Sequence, residues 1–228
     1  MAERVFISML PLFEDRAQAG RLLAAELERL RGEDMVVIGL ARGGVVVAAE
    51  VARGLGAPLD VVAVRKVGHP IAPEYALGAV APDDGVYVRA HDGLTDAELE
   101  AVVAHAKAQA AALDEGLHAK TPPCDLAGKT ALLVDDGLAT GATMIAAIRW
   151  ARSRGAGRVV AAVPVAAIES LALVRDEADE AVCLYDLEEF LAVSVWYRAF
   201  DQVGDGEVLR LLAEAPRTVS QKAKEAEA

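Results

Sequence analysis

The sequence is poor in aromatic residues, poor in cysteine and short of positive charge, and each scarcity narrows the field. Aromatics make up 4% of the 228 residues while apolar residues make up 54%. The core therefore has to be built from alanine, valine and leucine, which suits a parallel sheet packed by helices. The two cysteines, Cys124 and Cys183, lie far apart with no Cys-x-x-Cys. That pattern favours free thiols in a reducing compartment over a disulfide framework or a thiolate metal site. The formal net charge of −12 argues against a general basic surface for nucleic acid, though it leaves room for a local basic pocket. The longest apolar run, Val159 to Ile168, contains Pro164 and is too short for a bilayer. The N-terminus carries Glu3 and Arg4 without a long apolar stretch, so a soluble cytoplasmic protein with no membrane and no nucleic-acid partner is expected.

What is present is a regular alternation of strand and helix signals, which predicts an α/β fold with an open, mostly parallel sheet and helices on both faces. A helix from about Asp15 to Arg31 starts at Asp15, with Gln18 three residues on as the second half of a capping box. Met35 to Leu40 reads as a buried strand, and a helix runs from the Ala41-Arg42-Gly43-Gly44 turn through Arg53. Leu59 to Val64 reads as a second strand. From Val67 to Ala90, punctuated by Gly68, Pro70, Pro73 and Gly78, a mobile loop is expected, with a short hairpin near Asp83-Asp84-Gly85. Thr95 and Glu98 cap a long helix to about Gly116. Further strands are expected at Arg158 to Pro164 and Ala181 to Tyr185, with a helix between them. One domain over residues 1–215 is expected, followed by a polar tail at 216–228.

The most informative segment is Ala131-Leu-Leu-Val-Asp-Asp-Gly-Leu-Ala-Thr-Gly-Ala-Thr143. Its apolar start reads as a strand buried on both faces, which puts Asp135 and Asp136 at the carboxyl end, where open α/β sheets bind ligands. Ala139, Thr140, Gly141, Ala142 and Thr143 carry no bulky side chain, so their backbone N–H groups can close on an anion at the following helix N-terminus. Carboxylates beside a phosphate cradle suit a ligand with both vicinal hydroxyls and a phosphate. A ribose 5-phosphate meets both demands.

The segment resembles the phosphoribosyl pyrophosphate (PRPP) signature of type I phosphoribosyltransferases, and is similar to the adenine-specific members, which read Val-Asp-Asp-Leu-Leu-Ala-Thr-Gly-Gly-Thr there. Gly137 departs from the pattern, standing where the family more often has an aliphatic residue, which implies a looser turn. The resemblance assigns the pyrophosphate loop to Ala41, Arg42, Gly43 and Gly44. It assigns pyrophosphate contact to Arg65 and Lys66, which open the long loop in an Arg-Lys-x-Gly pattern. Glu74 and Tyr75 become candidates for the acceptor as that loop closes. A small hood over the acceptor, from about 1–14 and 186–204, is implied as well, and Trp196, Tyr197 and Phe200 would offer it flat rings. By contrast, Asp15 and Arg16 read as a cap and a surface or hood ion pair, and His69 as a turn histidine.

The implied activity is displacement of pyrophosphate from PRPP by an unidentified acceptor, a nitrogen heterocycle, with Mg²⁺ as cofactor. Asp135 and Asp136 would stabilise positive charge on the sugar and touch the metal through ribose hydroxyls or water. Hypoxanthine-guanine enzymes place an aspartate where Ala139 stands, which counts against a 6-oxopurine handled in that way. The family resemblance further implies a homo-oligomer. A PRPP- or nucleotide-sensing regulator on the same fold is the alternative, and a phosphate-ester enzyme without a Ser-His-Asp set ranks behind both.

Overall fold

The computed structural model describes residues 11–72, 75–89 and 91–216. In chain order it runs α1 (Arg16–Glu26), β1 (Met35–Ala41), α2 (Gly43–Leu55), β2 (Leu59–Ala63), β3 (Arg65–Gly68), β4 (Ala76–Val80), β5 (Val86–Val88), α3 (Asp96–His118), β6 (Thr130–Val134), α4 (Ala142–Ser153), β7 (Arg158–Ala167), α5 (Ile168–Glu177), β8 (Glu180–Leu187) and α6 (Asp205–Glu214). Strands β1, β2, β6, β7 and β8 pair in parallel in the order β2-β1-β6-β7-β8. The chain winds outward to β2 on one side of β1 and to β7 and β8 on the other side of β6. The β1–β6 boundary is thus the switch point at which open sheets leave a crevice beyond their strand ends.

The alternating side-chain directions of a strand feed two cores. Val36, Ile38 and Leu40 of β1 pack with Met144, Ile145 and Ile148 of α4 on one face. Met35 and Val37 pack with Leu23 of α1, Val45 and Val51 of α2, and Leu212 of α6 on the other. Burying each such apolar side chain contributes about 1.5–3 kcal/mol, so the sheet is anchored from both sides.

Helix ends follow their local chemistry, with one displacement. The Asp15 carboxylate accepts from Gln18 N at 2.7 Å, but the Gln18 side chain accepts from Glu14 N at 2.6 Å rather than from the cap residue itself. Helix α1 stops at Glu26, and the stretch to Leu30 continues only as a 3₁₀ turn. At α3 the Thr95–Glu98 box is complete.

Two segments differ from the sequence reading. The stretch after Val67 carries an antiparallel ribbon, in which β4 pairs with β3 and β5, rather than one long loop, with the hairpin turning through Asp83-Asp84-Gly85 as expected. Val67, Leu77 and Val80 bury themselves against Ala106 and Ala110 of α3, an apolar contact that outweighs the flanking glycines and prolines. Helix α6 was not anticipated, although Val208, Leu211 and Leu212 are spaced for one helix face and are buried. Of the hood segments, residues 1–10 lie outside the described residues, as does Glu74, and so do residues 217–228 of the tail. At its described end, Leu12 N and Phe13 N donate to Trp196 O at 2.9 and 3.0 Å.

Candidate active site

Two turns flank the switch point. After β6, the chain passes from Val134 through Asp135 and Asp136 into the loop that Gly141, at φ 74, hands on to α4. That left-handed conformation suits glycine, and Gly141 is the N-cap. The loop is tied at its middle: Leu138 N donates to Val165 O at 2.9 Å, and the Ser170 hydroxyl donates to Ala139 O at 2.8 Å. After β1, Gly43 and Gly44 open α2 directly against the carboxylates. A methyl at Gly43 would overlap Asp136 Oδ2, and one at Gly44 would come within 2.7 Å of Val134 O and 2.8 Å of Asp135 Oδ1. The glycines are needed here for close approach.

A cavity of about 200 Å³ lies at the turn after β6, and Ala41, Arg42, Gly43 and Gly44 are not among its described lining residues. Its walls include Lys66, Asp135, Asp136, Ala139, Thr140, Ala142 and Thr143. A cation, two carboxylates and the small-residue loop at a helix start therefore share one space, the carboxylates and the loop supplied by the end of β6 and the cation by β3 of the ribbon.

Burial pushes the Asp135 carboxyl well above the usual carboxylate range, and the neighbouring Asp136 charge adds to the rise, with Arg16 and Lys66 opposing it. Burial also raises Asp136, against the pull of Arg16. The Arg16 Nε donates to Asp136 Oδ2 at 2.8 Å, with only 11% and 14% of the two side chains exposed. Its Nη1 donates to Asp201 O at 2.8 Å, and its Cζ lies 3.6 Å from the Phe200 ring centroid. Arg16 does form an ion pair, but a partly buried one inside the site. Asp136 is held from its backbone too, where the Tyr197 hydroxyl donates to its carbonyl oxygen at 2.6 Å.

Other expected site residues stand elsewhere. The Arg42 guanidinium is paired with Asp205 at the start of α6. Arg65 lines an open groove with Gln109, Ala112 and Leu113 on the α3 side, away from its neighbour Lys66. Adjacent residues of a strand point to opposite faces, so only one of such a pair can face the cavity. Tyr75 is 45% exposed, with Asp92 beside its hydroxyl, which raises the phenol. His69 serves its turn, with Nδ1 accepting from Ile71 N at 3.2 Å. The three hood aromatics pack rather than present open faces. Trp196 and Tyr197 are 8% and 4% exposed, and Phe200 is covered by Arg16. Burial drives the Tyr197 phenol far upward.

The sequence matches the family described as "Phosphoribosyl transferase domain" over residues 13–194. The chain belongs to this family. Over 211 residues it is 43% identical to a Mycobacterium tuberculosis H37Rv protein named "Putative phosphoribosyl transferase Rv0571c", and equally to its counterpart in strain CDC 1551. Those alignments take in 90% of this chain but 47% of each relative, so the chain spans about half the length of the curated relatives it matches. The crystal structure of TT1426 from Thermus thermophilus superposes with a TM-score of 0.76 at 43% identity, covering 89% of this chain and 98% of that one.

In this phosphoribosyl transferase domain the site contains two contributors that the sequence did not place there, Arg16, which reads as a surface or hood ion pair, and Val193. Arg16 gave no local signal, because its partner is 120 positions away. Val193 fills the room left at Gly137: a Cβ built there would lie 2.8 and 3.0 Å from the valine methyls. The turn is therefore packed from across the site rather than loosened.

Proposed function

We propose that the domain transfers the 5-phosphoribosyl group of PRPP to a nitrogen heterocycle and releases pyrophosphate, acting as a cytoplasmic homo-oligomer. The gathering of Asp135 and Asp136 with the 139–143 loop and Lys66 around one cavity carries this reading. The loop amides would hold the 5-phosphate and align the sugar without touching the reacting bond. Asp135 and Asp136 would accept from the ribose hydroxyls and place negative charge beneath the oxocarbenium-like sugar. Lys66 would face the departing diphosphate. The acceptor nitrogen forms its bond to the anomeric carbon as the bond to pyrophosphate oxygen breaks. Pyrophosphate leaves with the electron pair, and the acceptor's proton passes to it or to solvent. Lys66 beside the carboxylates favours transfer over a purely PRPP-sensing role.

The carboxylates of Asp135 and Asp136 are hard oxygen donors of the kind Mg²⁺ takes. Among the described residues no group of three or more His, Cys, Asp or Glu side chains is placed to hold a metal. An ion shared with PRPP oxygens and water therefore fits better than a protein cage. When bound, it would neutralise charge on the diphosphate.

Calorimetric titration with PRPP, with and without Mg²⁺, tests the reading. Saturable binding strengthened by Mg²⁺ and abolished in Asp135→Asn/Asp136→Asn is expected. No binding in either condition would discard the proposal.

A further inference from the structure

Each carboxylate of the signature turn is held through one oxygen. Asp135 Oδ1 accepts from Asp136 N at 2.9 Å, and Asp136 Oδ2 accepts from Arg16 Nε at 2.8 Å. Among the described residues no other residue donates to Asp135 Oδ2 or Asp136 Oδ1. Both residues line the cavity of about 200 Å³, so the pair has one oxygen each to give to a ligand there, as two vicinal hydroxyls require. Asp135 is fixed by its chain neighbour, whereas the Asp136 side chain depends on a residue 120 positions away.

Arg16 reaches Asp136 from outside that space. It is not among the described lining residues of the first cavity and lines a separate one of about 340 Å³, with Val46, Ala199, Gln202 and Glu207. The ion pair therefore stands between the two cavities. Its guanidinium is fixed by Asp136, by the Asp201 carbonyl and by the face of Phe200. Phe200 packs on Tyr197 at a centroid distance of 5.1 Å, and the Tyr197 hydroxyl donates to Asp136 O at 2.6 Å. One aromatic pair thus supports the Asp136 side chain through Arg16 and its main chain directly. A planar fork that also rests flat on a ring suits this seat, and a lysine ammonium has neither property.

Resting on the transfer reading above, we infer that Arg16 is a positioning residue, which holds the second oxygen of Asp136 in place for a ribose hydroxyl without touching the ligand itself. A carboxylate released from Arg16 turns about its side-chain bonds and loses the alignment that a hydrogen bond needs. Sites of this kind depend on residues behind the ligand-contacting groups to lock their rotamers. The phosphate end is held independently, because the 139–143 loop is tied through Leu138 and Ser170. Loss of Arg16 accordingly removes recognition of a hydroxyl and leaves recognition of phosphate.

The test uses the full chain and reads calorimetric affinity for ribose 5-phosphate, its 2-deoxy and 3-deoxy analogues and inorganic phosphate, with PRPP and Mg²⁺ titrated in parallel. In the unaltered protein at least one deoxy analogue should bind about tenfold or more weakly than ribose 5-phosphate. In Arg16→Ala that difference should shrink to about twofold or less, with affinity for inorganic phosphate unchanged. Guanidinium chloride far below unfolding concentrations should enter through the cavity of about 340 Å³ and restore the difference, while sodium chloride at equal ionic strength should not. Arg16→Lys keeps the charge and should show an intermediate difference, which decides the matter if the alanine variant does not fold. Full discrimination in either variant overturns the inference. So does an unaltered protein that binds PRPP without distinguishing either deoxy analogue, a rescue that guanidinium fails to give or sodium chloride gives equally, or a loss of phosphate affinity in step with the sugar. Failure of the unaltered protein to bind PRPP is a different result, which removes the transfer reading and this inference with it.

Discussion

The guanidinium of Arg16 and the carboxylate of Asp136 lie 2.8 Å apart, joining the first turn of α1 to the signature strand across 120 residues of sequence. Their contact brings the start of the chain to the site, and Gly43 lies close beneath both side chains. The ring of Phe200 and the carbonyl of Asp201 complete the seat of the guanidinium.

Removing Arg16 should therefore cost more than an exposed ion pair would. Arg16→Met leaves a largely buried carboxylate without its partner, and a loss of about 2–4 kcal/mol in urea unfolding is expected. PRPP affinity should fall in the same variant. Adding Asp136→Asn to Arg16→Met should recover most of the stability but none of the PRPP binding, because the neutral amide no longer needs the cation but cannot replace the carboxylate.

The pair between Arg42 and Asp205 predicts the opposite sense. Its side chains are 38% and 50% exposed, so the contact is worth about 1 kcal/mol or less. Asp205→Asn should leave unfolding nearly unchanged while freeing the guanidinium beside the glycine turn. A gain of about two- to fivefold in PRPP affinity at low salt is expected, shrinking as salt is raised. An unchanged affinity would show that Arg42 does not turn toward the diphosphate when released.

His118 makes stability depend on pH far from the site. Its Nε2 lies 3.0 Å from Asp60 Oδ1 and its Nδ1 3.1 Å from Asp114 Oδ2. Burial alone would lower its pKa, but the Asp114 and Asp60 carboxylates overcome that and raise it to about 10. Between the unfolded value of about 6.5 and about 10, the folded protein binds the extra proton. The stabilisation is therefore full below the lower value and lost as pH rises through the upper one. Unfolding free energy should fall by about 2–4 kcal/mol from pH 6 to pH 10, and His118→Asn should flatten that decline.

How far the sequence reveals this molecule depends on the range of the interaction involved. Strands β1, β6 and β7 were legible because Met35 to Leu40, Ala131 to Val134 and Val159 to Val163 are continuous apolar runs, and burial on both faces requires such runs. The antiparallel ribbon was legible only at its Asp83-Asp84-Gly85 turn, since β3 and β5 are only four and three residues long, and β3 packs against α3 while Arg149 of α4 holds β5. Helix α6 was legible in principle through Val208, Leu211 and Leu212. Within the site, residue type indicated what Asp136 and the 139–143 loop are suited to. Only the fold could show that Arg42 turns to Asp205, or that Tyr197 is buried with its hydroxyl on Asp136 O. Direction and partner are set by packing between distant segments, and side-chain identity does not encode them.

The same dependence can be measured at Gly137 and Val193, where one element supplies the side chain that another lacks. A β-carbon at 137 would meet the Val193 methyls at 2.8 and 3.0 Å and Val165 Cγ1 at 3.1 Å. Gly137→Val alone should overpack the turn and cost about 1–3 kcal/mol, pushing the Asp136 carbonyl away from the Tyr197 hydroxyl and weakening PRPP binding. Val193→Ala alone should leave a small void and cost about 1 kcal/mol. Together the changes exchange the location of one aliphatic group, so the double variant should be more stable than the sum of the single losses by about 0.5–3 kcal/mol in a double-mutant cycle. Additive losses would mean that the two positions do not share a space and that the turn is held by the Leu138–Val165 and Ser170–Ala139 hydrogen bonds alone. A favourable coupling would establish that the segment after β8 is part of the signature turn, and that changes at 193 reach the carboxylates through packing.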